Sequence, residues 1–123
     1  MSEQQGFDFA NAIAERDAGR LKELLADDLD FRAVTPRKIW EFEGIDALVD
    51  TTIMGTWFTA EAPIVDVINI EHDQVGTRER VGYTFRVEGE EGPSLVQQQA
   101  FYDAEAGKIT WLRILCSGYQ PIN

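Results

Sequence analysis

The sequence has one cysteine and one histidine in 123 residues. One cysteine cannot close an internal disulfide, and one histidine with one cysteine cannot build the usual zinc cage, so no metal site is expected. Basic residues are scarce as well, 11 against 22 acids, for a formal charge of −11. That excess repels a phosphate backbone and argues against nonspecific nucleic-acid binding. No apolar run approaches the roughly 20 residues needed to span a bilayer. The start, MSEQQGFDFA, lacks the basic stretch and apolar run of a signal peptide. Together these absences predict a cytoplasmic protein with neither a nucleic-acid nor a membrane partner. What is present is apolar material, 44% of residues, enough for one core. The length fits one domain over residues 1–123.

Gln4 to Arg16 reads as a helix, with Phe9 and Ile13 four apart on one face. Gly19 is suited to end it through a left-handed φ. Arg20 to Leu25 forms a second short helix, and Asp27-Asp28 a turn. Leu29, Phe31 and Ala33 then alternate with polar neighbours, as in a half-buried strand. Lys38 to Glu43 reads as a second strand after Pro36. Gly44 to Thr56 is the clearest helix, with Ile45, Leu48, Val49, Ile53 and Trp57 at helical spacing. Beyond Pro63 the pattern becomes β to the end: Ile64 to His72, Arg78 to Val87, Leu95 to Asp103 and Ile109 to Ser117. The separators HDQVGT, EGEEGP and DAEAG are glycine-containing and acidic, which suits hairpins. Three helices thus accompany a four-stranded antiparallel meander.

The last strand is apolar on both faces, with Trp111 and Leu115 on one and Leu112 and Ile114 on the other. Such a strand is covered on both sides. The helices cover one side of the sheet, and the economical cover for the other is a second copy of the chain.

Three strings carry a resemblance: the helix-break-helix FANAIAERDAGRLKELLADDLDFRA, the EGIDALVD that starts the third helix, and the hairpin QQQAFYDAEAGKITWLRIL. They resemble the nuclear transport factor 2-like superfamily, and within it the SnoaL-like and ketosteroid-isomerase-like small proteins. The resemblance implies an α+β fold of the cystatin-like, cone-shaped kind. Its curved, mostly antiparallel sheet packs on three helices around an apolar pocket. It also implies a homodimer through the outer sheet face, which would carry Phe101, Trp111 and Arg113. The chemistry of the relatives does not carry over. In ADDLDFRAVTP, Ala33 stands where ketosteroid isomerases keep a general-base aspartate. Ala12 falls near their helix-one tyrosine, and Gln98 near their buried acid. No histidine–aspartate pair of the scytalone-dehydratase kind is visible, nor an aspartate–arginine–aspartate set like that of the limonene-epoxide hydrolases.

On that register Tyr83, Gln98, Tyr102 and Cys116 face the pocket, and Trp40 or Trp57 could either wall its mouth or belong to the core. Gln98 is either an amide that orients a ligand oxygen or one that bonds a neighbouring side chain. Tyr83 and Tyr102 are more often core residues than donors to a ligand. Cys116 needs a base to act as a nucleophile and is more often a small buried hydrophobe. His72, at the predicted end of a strand beside Glu71 and Asp73, reads as a solvated loop residue rather than as a general base. Arg32, Arg78, Arg80, Arg86 and Arg113 on predicted strands read first as cross-strand partners of acids, second as bidentate pairs across a dimer, and otherwise as a cluster for an anionic ligand. Two functions stay open. One is a small-molecule-binding protein with ligand contacts from Trp40, Tyr83, Gln98, Tyr102 and Cys116. The other is a cofactor-independent isomerase, cyclase or hydrolase working by proton transfer on an apolar substrate. Neither implies a cofactor.

Overall fold

The computed structural model describes residues 3–122. Helix α1 (Glu3–Ala14) and helix α2 (Ala18–Leu24) lead into β1 (Leu25–Thr35) and β2 (Lys38–Glu41). A third helix (Ala47–Trp57) precedes β3 (Ile64–Val75), β4 (Arg78–Gly89), β5 (Gly92–Glu105), β6 (Lys108–Cys116) and the short β7 (Gln120–Pro121). The sheet runs β2-β1-β6-β5-β4-β3, with β7 pairing β5. Only β1 and β6 are parallel; the meander from β3 to β6 is antiparallel throughout. The sheet curves around the helices without closing, an α+β cone.

Period-two burial explains which face turns inward. Val81, Tyr83 and Phe85 of β4, Val96, Ala100 and Tyr102 of β5, and Leu112 and Ile114 of β6 are buried in one cluster with Phe9, Ile13, Leu21, Val49 and Ile53 of the helices. Burying side chains of this size contributes on the order of 2 kcal/mol each, which is what holds the helices in the concavity.

Four local expectations change. Arg16, at φ 53°, takes the left-handed position that ends α1, and Gly19 lies inside α2, whose N-cap Asp17 accepts from the Arg20 amide at 3.0 Å. Asp27 and Asp28 do not turn. They lie exposed within β1, where the pairing with β6 shifts register between Leu25 and Asp30. That irregularity absorbs the polar pair without ending the strand. The third helix is wound as a π-helix, in which Phe58 N–H reaches back five residues to Ile53 O at 2.8 Å. Its buried pairs accordingly recur every five residues or so: Leu48 and Val49, Ile53 and Met54, then Trp57 and Phe58. Gly55 permits this winding, since a Cβ there would lie 2.8 Å from Asp50 O. Finally, His72 belongs to β3 rather than to a loop.

On the outer face three of the strand arginines pair with acids across strands, while Arg86 pairs with Glu88 of its own strand. Arg78 meets Asp103 at 2.9 Å, Arg80 meets Asp73 at 2.8 Å, and Arg113 meets Asp30 at 2.9 Å. Trp111 lies between two guanidinium groups, Arg78 at 3.5 Å and Arg113 at 4.4 Å from its ring centroid.

Candidate functional site

The main apolar cavity, about 470 Å³, opens between the β1–β2 turn, the end of the third helix and the chain beyond β6. Each segment supplies wall residues for a local reason. The inward parity of β5 brings Val96 and Gln98, and that of β6 brings Cys116. The last turn of the third helix brings Trp57 and Phe58. Trp40 of β2 meets Trp57 edge-on, with ring centroids 5.8 Å apart. Gly118, Tyr119 and Gln120 return across the mouth, tied down where the Tyr119 hydroxyl donates to Trp57 O.

Tyr83, Gln98 and Cys116 sit directly opposite one another on β4, β5 and β6. The Tyr83 hydroxyl donates to Gln98 Oε1 at 2.6 Å. Gln98 is 1% exposed, and its Nε2 has no hydrogen-bond partner among the described residues. With its oxygen held by the tyrosine, the carboxamide of this cavity-lining residue keeps two N–H donors without a partner among the described residues. Trp57 Nε1 is a second buried donor without a partner. Cys116 Sγ accepts weakly from the Gly118 amide at 3.4 Å. Burial pushes the Tyr83 phenol well above its usual range, with the nearby Cys116 adding to the shift. Tyr119 is pushed up to about 12, again by burial first and Cys116 second. Both phenols therefore stay protonated near neutrality. Among the described lining residues there is no carboxylate and no imidazole.

Of the residues expected at the site, Trp40, Gln98 and Cys116 line the cavity. Tyr83 stands behind Gln98 and stacks on Phe85 at 5.2 Å. Tyr102 faces the same side of the sheet but lies away from the cavity, against Gly6 of α1, where its ring leaves no room for a Cβ. One strand-length of separation, not the wrong face, puts it elsewhere.

Sequence reasoning missed the β1–β2 turn. Thr35 pairs with Lys38, so the loop is Pro36-Arg37 alone. Proline fixes a negative φ at the first loop residue, which suits turns whose second residue is either right-handed or left-handed. Arg37 takes the left-handed conformation, at φ 69°. A glycine would do so freely, whereas a side chain there costs about 1 kcal/mol. Arg37-Lys38 is also the only pair of adjacent basic residues in the chain, the one sequence signal that marked this spot. Gly118, at φ 76°, packs so closely that a Cβ would lie 2.7 Å from Pro36 Cγ, which seats the turn against the cavity.

A second buried polar group lies on the same concave face, four residues along β4 from Tyr83, about 13 Å away. His72 Nε2 is 2.9 Å from Glu79 Oε1, off the N–H direction, and the two side chains are 8% and 9% exposed. Gln74 Nε2 donates to the other Glu79 oxygen at 3.1 Å, and Phe7 and Tyr102 flank the imidazole. The solvated-loop expectation for His72 thus fails: residues 70, 72 and 74 alternate inward, and β3 runs on to residue 75.

No protein-family model matches this sequence, and no curated protein matches it either. Solved structures do match. A limonene-epoxide-hydrolase-like epoxide hydrolase from M. tuberculosis is 15% identical, with TM-score 0.65 over 93% of this chain and 80% of that one. A nuclear transport factor 2-like protein from Burkholderia thailandensis is 12% identical, with TM-score 0.65 over 93% and 88%. A protein of ketosteroid isomerase-like fold from Catenulispora acidiphila, solved with trimethylamine, is 11% identical, with TM-score 0.64 over 88% and 81%. The class is therefore the α+β cone. More narrowly, the chain has the nuclear transport factor 2-like fold, as its three sequence strings implied. Among the described residues no helix is long and apolar enough to cross a membrane.

Proposed function

We propose that this single domain binds a small, largely apolar molecule through an acceptor oxygen, without a cofactor. The observation that carries the proposal is the unpartnered Gln98 amide at 1% exposure, held by Tyr83 in the wall of an apolar cavity. A buried donor left unmade costs about 1–3 kcal/mol, and a ligand oxygen recovers that cost. Trp40, Trp57 and Phe58 supply the apolar contact. Binding is favoured over turnover by the lining itself, whose titratable groups are Arg37, Cys116 and phenol Tyr119. The alternative, proton-transfer catalysis on an apolar substrate, draws support from the fold shared with proteins named as hydrolases and isomerases. The outer sheet face fits a homodimer: Ile39, Val34 and Leu115 are neighbours in the register and expose 69%, 46% and 60% of their surface. A cytoplasmic location accords with the single free cysteine.

The test is fluorescence titration with a neutral aryl ketone, 6-acetyl-2-naphthol, read through quenching of Trp40 and Trp57. Saturable binding is expected, weakened about ten-fold or more in Gln98→Leu, the loss of one good hydrogen bond. Binding of equal strength in that variant would assign Gln98 a purely structural role, and absence of saturable binding would end the proposal.

A further inference from the structure

Arg37 is the one arginine among the described residues that line the cavity. Arg20, Arg78, Arg80, Arg86 and Arg113 each hold a carboxylate, as a chain with twice as many acids as bases makes easy. Arg37 has no ion pair and no hydrogen bond among the described residues. It nevertheless occupies a left-handed backbone position that glycine would fill without strain, on a turn clamped by the Gly118–Pro36 contact. Strain retained at such a site points to a use for the side chain. Lys38, its neighbour, lies over the Trp40 ring at 3.9 Å and is not among the residues that line the cavity, which leaves Arg37 as the cation there.

The unpartnered polar groups of the lining are donors: the buried N–H groups of Gln98 and Trp57, and Arg37. An amine would meet like charge and further donors. A molecule without charge would leave Arg37 unused. The net charge of −11 opposes anions at long range, but salt screens fields beyond about 8–10 Å, so the local cation decides at the mouth.

Resting on the cavity-binding proposal above, we infer that the ligand is an organic anion: an apolar body with an acceptor oxygen at its inner end and a carboxylate that meets Arg37 at the mouth. Arginine suits that end because its planar fork takes a carboxylate through two parallel hydrogen bonds.

Two probes of one skeleton separate this inference from the reading beneath it. At neutral pH 6-hydroxy-2-naphthoate is an anion, and 6-acetyl-2-naphthol is its uncharged counterpart. The naphthoate is expected to bind the full chain on the order of ten-fold tighter at about 0.15 M salt, where the long-range repulsion by the acidic chain is screened. Arg37→Gly suits the left-handed turn and should keep the fold, yet bring the naphthoate down to the ketone's affinity. Arg32→Ala, which removes another exposed arginine from the outer face, should leave the gap in place. Equal binding of the two probes by the wild type, or a gap that survives Arg37→Gly or vanishes in Arg32→Ala, overturns the anion inference while cavity binding stands. Failure of both probes to bind overturns both.

Discussion

Tyr83 donates its hydroxyl hydrogen to Gln98 Oε1 at 2.6 Å, straight across the β4–β5 ladder, so the phenol fixes which way the amide faces. The two residues therefore act as a unit. Gln98→Leu should destabilise the protein by about 1–3 kcal/mol, because it strands a buried hydroxyl. Adding Tyr83→Phe should recover much of that loss, since the pair is then replaced by apolar groups of similar shape. Chemical denaturation of both single variants and the double variant measures the coupling. Additive losses would mean that the hydrogen bond does not orient the amide.

The chain has three tyrosines, and the fold raises all of them. Burial is the first cause in each case. It is reinforced by Cys116 for Tyr83 and Tyr119, and by Glu79 for Tyr102, against a backbone hydrogen bond at Gly6 that lowers it. A phenol whose folded pKa lies above its unfolded value of 10.0 favours the protonated native state. That stability is complete below pH 10 and declines as pH rises through the folded values, about 12 for Tyr119. Tyrosinate absorbance should thus be small near pH 10 and rise together with loss of the circular dichroism signal. Reversible ionisation of two tyrosines near pH 10 with the fold intact would contradict this.

The His72–Glu79 contact ties the inner end of β3 to β4 beneath Phe7. Glu79→Ala leaves the Gln74 amide without its acceptor and opens a gap beside the buried imidazole, which should cost about 2 kcal/mol in urea unfolding. Glu79→Gln keeps an acceptor oxygen and the volume, and should cost about 1 kcal/mol. Because the pair is about 13 Å along the strand from Tyr83, neither variant should alter affinity for 6-acetyl-2-naphthol. A large affinity change would join the two buried polar groups into one site.

How much of this was legible differs by scale. The strands were, since alternation at Val81, Tyr83 and Phe85 fixes both the element and its inward face. The π winding was not: its apolar residues also satisfy helical spacing, and only Gly55, squeezed against Asp50 O, betrays it. His72 was masked by its charged neighbours, although Ile70, His72 and Gln74 carry the period of a strand. Gln98 and Cys116 could be placed at the cavity once the family resemblance supplied the strand parity. Arg37, Gly118 and Tyr119 could not, because their part in the wall depends on two distant segments closing on each other.

That closure is itself testable at Gly118. An alanine there meets two penalties at once, a φ of 76° and a Cβ only 2.7 Å from Pro36 Cγ. Pro36 cannot yield without moving the whole turn. Gly118→Ala should cost about 2 kcal/mol in stability, and should weaken binding of both naphthyl probes by displacing Arg37 and Tyr119 together. Gly107→Ala is a suitable control: it has a similar φ of 80° but open space around its Cβ, so it should lose stability without losing affinity. Equal binding by the two variants would show that the turn does not shape the mouth.

Leu115 exposes 60% of its surface in one copy, beside Val34 in the β1–β6 register. Trp111 is a poorer probe of the outer face, since Trp111→Glu also removes two cation–π contacts within the chain. Leu115→Glu disturbs little in a lone copy, but in a dimer closed over this stripe it buries an unpaired carboxylate from each partner. That costs several kcal/mol, so the dimer should weaken at least about 100-fold. Light scattering coupled to size exclusion is expected to give twice the chain mass for the wild type and the chain mass for Leu115→Glu. Arg86→Glu, on the same face but far from the stripe along β4, should stay dimeric. A monomeric wild type, or a dimer that survives Leu115→Glu, would remove the stripe as an interface.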